Sequence, residues 1–481
     1  MKFCFRFNDI YIQERKRYHK RCKIISTISI GERSQNRTIG NDRVFKAGLK
    51  NFTVTTTAYP IDPTFWARYR TEPTANFFDG IRAFSLYVHI PFCPTVCSFC
   101  EYVRMRDPGA EFKERYVAAL IKELEMKTQE VDFGGKLWMG FDIGGGTPTT
   151  LNGAQLARIT EAAQQSFKEA TIPNTFKPSI ETTGSIASTN REYLTEVRQL
   201  GFRRISMGMQ ATTRRLKALM NIDDRNNSLY FRAVDNLRSA GFDLINLDLM
   251  YGLSNQSEED LRHSLLFATQ LEVDHITLYE MRYHFSNISS LATKANRERN
   301  SLLYRLAFDC LNDAGYKAPF GRNTFSKLDD KGLSSYLESR TVDFVPYIGI
   351  GAGSQTQGSD FISYNIGKRD KNILGYMEAI EIGHSAAEDF YRLPKEEQIA
   401  KYVAISFYLG YIEMGKLSQR LGINFEAEYR SEIDYLRLNG LAMISNGILT
   451  LTQKGFENYN GVVPLFYPLA SKEYIVKGID E

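Results

Sequence analysis

Three cysteines fall close together within the stretch Tyr87–Tyr102, which reads YVHIPFCPTVCSFCEY. Cys93, Cys97 and Cys100 are separated by three and then two residues, and they follow a short apolar run that is typical of a strand end. Thiolates hold iron–sulfur clusters, and an ordinary four-iron cluster takes four protein ligands. Because only three thiolates are close, one iron would lack a protein ligand and could bind a chelating small molecule. The spacing therefore predicts a cluster that does chemistry at an open iron.

Three other interpretations of these cysteines stay open at this point, a zinc site, a redox pair and plain buried cysteines. A zinc site needs four ligands, and His89 is the residue near enough to complete three thiolates. Cys97 and Cys100 could instead form a redox pair of the thioredoxin type, although that pattern leaves Cys93 without a role. Six cysteines in a chain of this length suit a reducing compartment better than a disulfide framework.

The bulk composition is that of a soluble protein. The 481 residues suffice for one large domain and a smaller one, and 24% of them are charged. No run approaches the roughly 20 apolar residues of a membrane span, and the first residues lead into a basic stretch instead of a signal-peptide core. We therefore expect a cytoplasmic protein with no membrane partner.

The basic charge is confined to the beginning of the chain. Residues 1–50 hold 13 Lys and Arg against 4 Asp and Glu, so the remainder of a chain with net charge +4 is acidic. This region lacks a periodic apolar face and is predicted to be a flexible extension. Residues 51–83 mix prolines with aromatic residues, which indicates an irregular lead-in segment packed against the protein.

Strand-like and helix-like stretches alternate after residue 83, and they make six β/α units. The predicted strands are Phe84–Ile90, Leu137–Ile143, Pro178–Thr182, Arg203–Met209, Leu244–Tyr251 and His275–Met281. The predicted helices between them are Glu111–Val131, Gly153–Phe167, Arg191–Leu200, Asn227–Ala240 and Glu258–Leu271. This alternation predicts a parallel α/β sheet, either open or closed into a barrel.

The pattern changes in the last quarter of the chain. After a connecting segment at 356–390, residues 391–481 are predicted to form a helical domain with a hairpin at Ser445-Asn446-Gly447, which resembles a winged helix. Residues 411–460 hold five basic and six acidic side chains, the wrong balance for a phosphate footprint. We therefore expect a packing or lid domain and not a DNA-binding regulator.

Motifs that could bind a ligand sit at the predicted strand ends, where parallel barrels carry function. Gly144-Gly145-Gly146 allows close approach of a ligand to the backbone, although it could equally be a strand-to-helix turn. Glu181 and Asp248 end later strands, and such acids are otherwise capping or solvated residues.

The cysteine spacing and its lead-in resemble the radical S-adenosylmethionine (radical SAM) enzymes, specifically the oxygen-independent coproporphyrinogen III oxidase-like branch. The segments RISMGMQ at 204–210 and NLDLMYGL at 246–253 are similar to segments of the same family. The resemblance implies an incomplete six-stranded (β/α) barrel at 84–355 with a [4Fe-4S] cluster. It also implies that the open iron is chelated by S-adenosylmethionine, whose reductive cleavage gives a radical that abstracts hydrogen from a small organic substrate.

The resemblance also implies the residues of the cofactor site. The cluster ligands are Cys93, Cys97 and Cys100. The cofactor-binding residues carried over from the family are Tyr87, Phe99, Gly145, Gly146, Thr147, Glu181, Gln210, Asp248, Met250 and Ala352. The sixth strand end carries Tyr279, Glu280 and Arg282, which are candidates for facing the substrate. A low-potential electron donor such as flavodoxin or ferredoxin is the expected protein partner.

Two departures from the family bear on the reaction. Coproporphyrinogen oxidases have a further cysteine at the position of Tyr102, and haem chaperones carry a His-Asn-x-x-Tyr-Trp segment where this chain has Arg322-Asn323-Thr324-Phe325-Ser326-Lys327. The first departure favours the class C methyltransferases and cyclopropane-forming enzymes, which hold two S-adenosylmethionine molecules and act on natural products such as heteroaromatics. Porphyrinogen oxidation is the alternative, and haem trafficking is a lesser one.

The cysteine cluster makes a direct prediction about metal content. Cys93→Ala, Cys97→Ala or Cys100→Ala should abolish the brown colour and the roughly four irons bound after anaerobic reconstitution. Cys310→Ala is the matched control and should leave both unchanged. Zinc without iron in the elemental analysis of the wild-type protein would contradict the cluster.

Overall fold

A computed structural model of the chain describes residues 39–50, 67–72, 78, 80–129, 131–222, 226–283, 286–294 and 297–480, and it is an α/β structure. Its strands, in chain order, are β1 Ala83–Ile90, β2 Phe92–Cys93, β3 Met105–Arg106, β4 Leu137–Gly145, β5 Ser179–Thr183, β6 Arg204–Gln210, β7 Leu244–Tyr251, β8 His275–Glu280, β9 Thr324–Ser326, β10 Tyr347–Ile350, β11 Gln355–Gln357, β12 Phe361–Asn365, β13 Ala387–Arg392, β14 Tyr411–Glu413, β15 Ala442–Ser445 and β16 Ile448–Leu451.

Helices connect the parallel strands and cover their outer face. Those between β3 and β8 are Ala110–Thr128, Gly153–Ser166, Gly184–Ala187, Arg191–Gln199, Arg214–Leu219, Leu229–Ser239 and Glu258–Gln270. Those between β8 and β13 are Arg297–Asp313, Ser335–Thr341 and Ile373–Glu381. The five long helices predicted from apolar periodicity are confirmed within a few residues at each end. The helix that starts at Gly153 is preceded by an Asn152 capping box, which explains its sharp beginning.

The six predicted strands β1, β4, β5, β6, β7 and β8 are adjacent and parallel in one sheet. The sheet has eleven strands in the order β13-β12-β11-β10-β1-β4-β5-β6-β7-β8-β9, and its end strands are not paired with each other. The incomplete parallel barrel is therefore confirmed. Residues 356–390, predicted as a connecting segment, instead supply β12, a helix and the beginning of β13, because antiparallel pairing from β10 onward extends the sheet.

The concave face of the sheet is filled at its N-terminal end by the segment 330–341. Ser334 Oγ donates to Asp142 Oδ2 of β4 at 2.6 Å, and Ser339 Oγ lies 2.8 Å from Ser85 Oγ of β1. Gly140 of β4 must be glycine, because a Cβ there would lie 2.3 Å from the backbone nitrogen of Tyr336. This segment closes one end of the barrel and leaves the C-terminal strand ends for a ligand.

The last quarter forms a second apolar core around a small sheet. Its helices are Lys395–Tyr408, Met414–Leu421, Phe425–Glu428, Arg430–Leu438, Gln453–Glu457, Tyr459–Val462 and Leu469–Asp480. Strands β14, β16 and β15 make a three-stranded antiparallel sheet. Asn446 and Gly447 have φ of 51° and 74°, the positive values that a tight hairpin turn requires. The winged-helix-like architecture predicted here is therefore present.

The beginning of the chain departs from the prediction of a flexible extension at 1–50. Asn41–Lys50 is a helix whose Val44 and Ala47 are buried in the second core, because its apolar side packs on the C-terminal helices. Gly48 allows this close packing, since a Cβ would lie 2.2 Å from the Asn460 carbonyl oxygen. Residues 1–38 and most of the predicted lead-in at 51–83 lie outside the described residues.

Within the described ranges, no helix has the length and apolarity needed to cross a membrane.

A buried carboxylate ties the barrel to the added strands. Glu123, 1% exposed, accepts hydrogen bonds from the Gly351 N–H (2.8 Å), Asn365 Nδ2 (2.6 Å) and Tyr376 Oη (2.6 Å), and it pairs with Lys127 Nζ at 2.6 Å. Lys127 lies on the same helix as Glu123, and Gly351 lies in the loop after β10. Asn365 lies on β12, and Tyr376 lies on the helix Ile373–Glu381. One side chain therefore joins four parts of the fold.

Replacing this carboxylate should weaken the fold markedly. Glu123→Ala removes the ion pair with the half-buried Lys127 and leaves the Gly351 N–H and the Tyr376 hydroxyl without this acceptor, so we expect the free energy of unfolding to fall by about 2–5 kcal/mol. Urea unfolding followed by circular dichroism measures the change. Glu125→Ala on the exposed side of the same helix is the control, and an equal effect of both substitutions would contradict the role of Glu123.

Candidate active site

The cysteine loop is anchored at both ends by neighbouring strands. The Met105 N–H donates to the Pro91 carbonyl at 2.7 Å, and the Asp107 N–H donates to the Cys93 carbonyl at 2.9 Å. At its tip, the Ser98 N–H donates to the Met220 carbonyl at 2.9 Å. These hydrogen bonds fix both ends and the tip of the loop.

The thiols of this loop suit a cluster better than one ion. Cys93, Cys97 and Cys100 are each partly exposed, and the Cys93 and Cys100 thiols are close enough to interact electrostatically. In the described part of the chain, no three His, Cys, Asp or Glu side chains converge on a point where they could hold one metal ion. In a [4Fe-4S] cluster each thiolate binds a different iron, so the three thiols need not converge on one ion. Burial raises the pKa of Cys93 to about 11, and a hydrogen bond with Thr147 opposes this rise.

His89 is occupied elsewhere and does not complete a zinc site. Its Nε2 lies 2.8 Å from the Val103 carbonyl oxygen, to which it can donate, and its Nδ1 lies 3.4 Å from Tyr87 Oη. Burial lowers the pKa of His89 to about 4, so the ring is neutral. The histidine braces the two ends of the cysteine loop.

The glycine motif packs against the cysteine strand. Gly145 has φ of 110°, and a Cβ there would lie 2.3 Å from the His89 ring. At Gly146 a Cβ would lie 2.7 Å from the Ile90 carbonyl oxygen. The Gly145 N–H donates to Glu181 Oε2 at 3.0 Å, which places the glycine turn and the predicted acid side by side.

Three carboxylates share the interior of the barrel with two guanidinium groups, those of Arg204 and Arg340, and both guanidinium groups act on Asp142. Asp142, Glu181 and Asp248 come from β4, β5 and β7, and Arg204 of β6 is 5% exposed. Asp248 accepts hydrogen bonds from Ser206 Oγ (3.0 Å) and Asn246 Nδ2 (2.7 Å). Arg204 itself donates to Ser179 Oγ at 3.2 Å and to the Gly332 carbonyl at 3.3 Å.

This arrangement is short of positive charge. Burial raises the pKa of Glu181 to about 8, and the neighbouring Asp248 carboxylate raises it further. Burial likewise raises the pKa of Asp142 to about 7 and that of Asp248 to about 6. The Asp142 Oδ1 atom is buried without a hydrogen-bond partner among the described residues. A ligand with cationic groups and hydroxyls would satisfy these acids, as S-adenosylmethionine has in its sulfonium, ammonium and ribose.

Other predicted cofactor residues surround the same strand ends. Gln210 ends β6 in a left-handed conformation, φ 61°, where the pairing register with β7 shifts. Such strain in a residue other than glycine is typical of functional sites. Met250 is 6% exposed in a small apolar cluster against which Phe99 packs. Tyr87 stacks on Tyr336 with ring centroids 5.6 Å apart.

Ala352 is fully buried, and its N–H donates to Tyr116 Oη at 2.9 Å. The Tyr116 hydroxyl in turn donates to the His89 carbonyl. The loop around Ala352 packs against the cysteine strand, and its contact with the cofactor stays a prediction.

The three candidate residues at the end of the sixth strand have two different surroundings. Tyr279 is 45% exposed and lies within electrostatic reach of Asp248, Tyr102 and Glu181. Arg282 is exposed and acts on Tyr102 and Tyr408. Glu280, in contrast, accepts a hydrogen bond from Asn300 Nδ2 at 2.8 Å. Tyr279 and Arg282 therefore border the barrel mouth, and Glu280 contacts the helix Arg297–Asp313.

Asp142, Arg204 and Arg340 are interior residues that the sequence predictions missed. Asp142 and Arg204 lie inside motif segments that were recognised, so alternation along β4 and β6 could have indicated that they face inward. Arg340 belongs to the segment 330–341, and no local pattern marks that segment as part of the barrel interior.

Comparison with known proteins agrees with this geometry. The sequence model described as the radical SAM superfamily matches residues 87–268. The chain contains a radical SAM domain. That domain begins at Tyr87, just before the cysteine loop, and includes every strand end that carries Gly145, Glu181, Gln210 and Asp248.

The similarity to individual proteins extends beyond the radical SAM domain. The oxygen-independent coproporphyrinogen III oxidase of Helicobacter pylori strain J99 is 27% identical over 426 residues, covering 83% of this chain and 89% of the relative. The heme chaperone of Lactococcus lactis is 26% identical over 400 residues, covering 79% and 97%. The solved coproporphyrinogen III oxidase of Escherichia coli shares the fold with a TM-score of 0.67 at 21% identity, covering 80% and 90%.

The radical SAM domain implies two cofactors, a [4Fe-4S] cluster and S-adenosylmethionine. The residues present fit both. The loop offers three thiols that do not converge on a single ion, and the buried acids of the barrel lack enough positive charge.

The buried acids predict how cofactor affinity depends on pH. A carboxyl group whose pKa is raised to about 8 holds its proton at neutral pH, and a cationic ligand favours the ionised form. Binding of S-adenosylmethionine should therefore release protons and tighten from about pH 6 to about pH 8, as measured by calorimetry on anaerobically reconstituted protein.

Variants of Glu181 and Asp248 distinguish the contributions of these two acids to cofactor binding. Glu181→Gln should weaken binding and remove much of the pH dependence, and Asp248→Ala should weaken binding while the cluster spectrum persists. Affinity that is constant or falls over this pH range in the wild-type protein would contradict the role of these acids.

Proposed function

We propose that the chain is an oxygen-independent coproporphyrinogen III oxidase-like enzyme that removes carbon dioxide oxidatively from coproporphyrinogen III. The observation that carries this proposal is that the similarity to such an oxidase covers 83% of this chain and 89% of the relative. It therefore includes the C-terminal part, which lies outside the radical SAM domain.

When bound, the cluster would supply the electron that cleaves S-adenosylmethionine reductively and so starts hydrogen abstraction from the substrate, which would then lose carbon dioxide and pass one electron to a one-electron acceptor. The cysteine loop holds Cys93, Cys97 and Cys100 in place through strand hydrogen bonds. Glu181 and Asp248 orient the cofactor's amino group and ribose. Tyr279 and Arg282 border the space where a substrate would lie above it. A low-potential protein such as flavodoxin or ferredoxin supplies the electron.

The preference for methyl or methylene transfer is not supported. It depended on a single position, Tyr102, where the oxidases have a cysteine. Tyr102 is 57% exposed, and its hydroxyl is within electrostatic reach of Glu181 and Arg282 at the barrel mouth. A side chain at that place can alter contacts with the substrate without changing the reaction class. Whole-chain similarity to the oxidases therefore outweighs it.

Heme chaperones are a second candidate because one matches over 79% of this chain. The segment that departs from the chaperone pattern, Arg322 to Lys327, contains strand β9 and no histidine. Thr324 and Ser326 of this segment are buried in the sheet. The residues that would distinguish a chaperone are thus absent from this segment.

Product analysis separates these functions. Reduced, reconstituted protein given coproporphyrinogen III should release carbon dioxide and form 5′-deoxyadenosine and methionine, detected by mass spectrometry. S-adenosylhomocysteine that accumulates with substrate would instead indicate methyl transfer. Stoichiometric heme binding with no loss of carbon dioxide would indicate a chaperone. The Tyr102→Cys variant should retain oxidase activity if Tyr102 only adjusts substrate contacts.

A further inference from the structure

Two cations on the β10–β12 side of the sheet are held by aromatic rings instead of carboxylates. The Arg340 guanidinium lies 4.9 Å from the ring centroid of Tyr347 and 5.8 Å from that of Tyr336, and it donates to Tyr336 Oη at 3.2 Å. The Lys368 ammonium lies 5.4 Å from the ring centroid of Tyr364. Among the described residues, neither cation forms an ion pair within 4 Å. Aromatic faces hold a cation while leaving most of its N–H donors available to an anion.

A single amide joins the two aromatic supports. Gln355 Nε2 donates to Tyr364 Oη at 2.7 Å, and Gln355 Oε1 accepts from Tyr347 Oη. Tyr347 lies on β10, and Gln355 and Tyr364 lie on β11 and β12. The strands that extend the sheet therefore fix the relative positions of Arg340 and Lys368.

The two cations lie beside the cysteine loop. Arg340 acts electrostatically on Tyr102, and Lys368 acts on His89 and is attracted by Glu101. Solvent reaches Lys368, yet the surrounding protein lowers the pKa of its ammonium. Because Lys368 is exposed to solvent and yet desolvated by the surrounding protein, it lies in a concave site and not on the outer surface.

A third cation lies behind Arg340. Lys401, on the helix Lys395–Tyr408, is 2% exposed, and the charged groups that act on it most are Arg340 and Arg420. A buried lysine among guanidinium groups costs stability unless an anion joins them. Asp142 of β4 also acts on Arg340, and β4 is separated from β10 only by β1.

We propose that Arg340, Lys368 and Lys401 form a carboxylate-binding site for the substrate, next to the acids that hold the cofactor. The inference rests on the proposed function, because coproporphyrinogen III is a polycarboxylate. Its propionates would be drawn to these three cations. The cofactor also carries a carboxylate, so the same chemistry could come from S-adenosylmethionine, and the test separates the two sources.

The test uses the full-length, anaerobically reconstituted protein with coproporphyrin III as the probe and its uncharged tetramethyl ester for comparison. The Kd of coproporphyrin III, measured by fluorescence, should rise about tenfold or more in Arg340→Gln, Lys368→Met and Lys401→Met. The tetramethyl ester should bind the wild-type protein more weakly than the acid does and should not distinguish the variants.

A matched control variant and a stability measurement distinguish lost binding from misfolding. Lys395→Met, an exposed lysine on the same helix as Lys401, should leave the affinity unchanged. Lys401→Met should raise the unfolding midpoint of the ligand-free protein while it weakens coproporphyrin binding, because it removes a buried charge without an anionic neighbour. A merely structural lysine would lose stability instead.

The outcomes separate the site from the proposed function. Variants that bind coproporphyrin III like the wild-type protein would overturn the site even where the wild type releases carbon dioxide. Binding that the variants lose would support the site even where the wild type does not turn over. Weakened binding of S-adenosylmethionine with unchanged coproporphyrin binding would assign the cations to the cofactor and overturn a substrate site. Absence of coproporphyrin binding in the wild type would overturn both.

Discussion

Buried charge that the protein does not neutralise by itself is the constraint on which this structure depends. Asp142, Glu181 and Asp248 are all near the guanidinium of Arg204, whose own hydrogen bonds go to a serine hydroxyl and a backbone carbonyl, and Asp142 is also near Arg340. Carboxylates in such surroundings take up protons at neutral pH, as their raised pKa values indicate. The sheet must hold these groups together against their repulsion, and a continuous parallel ladder from β1 to β8 provides the rigid frame.

The segment 330–341 closes one end of this frame and contributes side chains to its interior. It crosses the concave face at the N-terminal strand ends, where Gly332 meets Arg204 and Ser334 meets Asp142. The helix Ser335–Thr341 carries Arg340 near the same acid. One short stretch therefore closes the barrel, positions an acid and supplies a cation, so the acidic and basic groups of the site are coupled through it.

The C-terminal region also contributes to the site. Its long helix carries Lys401 near Arg340, and Tyr408 accepts a hydrogen bond from Asn323 Nδ2 at 2.7 Å, next to β9. The helix Asn41–Lys50 packs on the far side of the same domain and stabilises its core. The proposed substrate site would require both parts of the chain, in keeping with a similarity to coproporphyrinogen oxidases that extends past the radical SAM domain.

The sequence by itself determined the cysteine loop, the six parallel strands and the acids Glu181 and Asp248 at their ends. These features are local: the spacing of Cys93, Cys97 and Cys100 and the alternation of strand and helix can be recognised within a few residues. The tertiary structure alone decided that the loop around Ala352 packs against the cysteine strand, that His89 is neutral and engaged, and that Arg340, Lys368 and Lys401 lie together. Those relations join residues far apart in the chain. They follow from the sheet order and from the path of 330–341 across the barrel, because side-chain contacts between strands depend on which strands become neighbours.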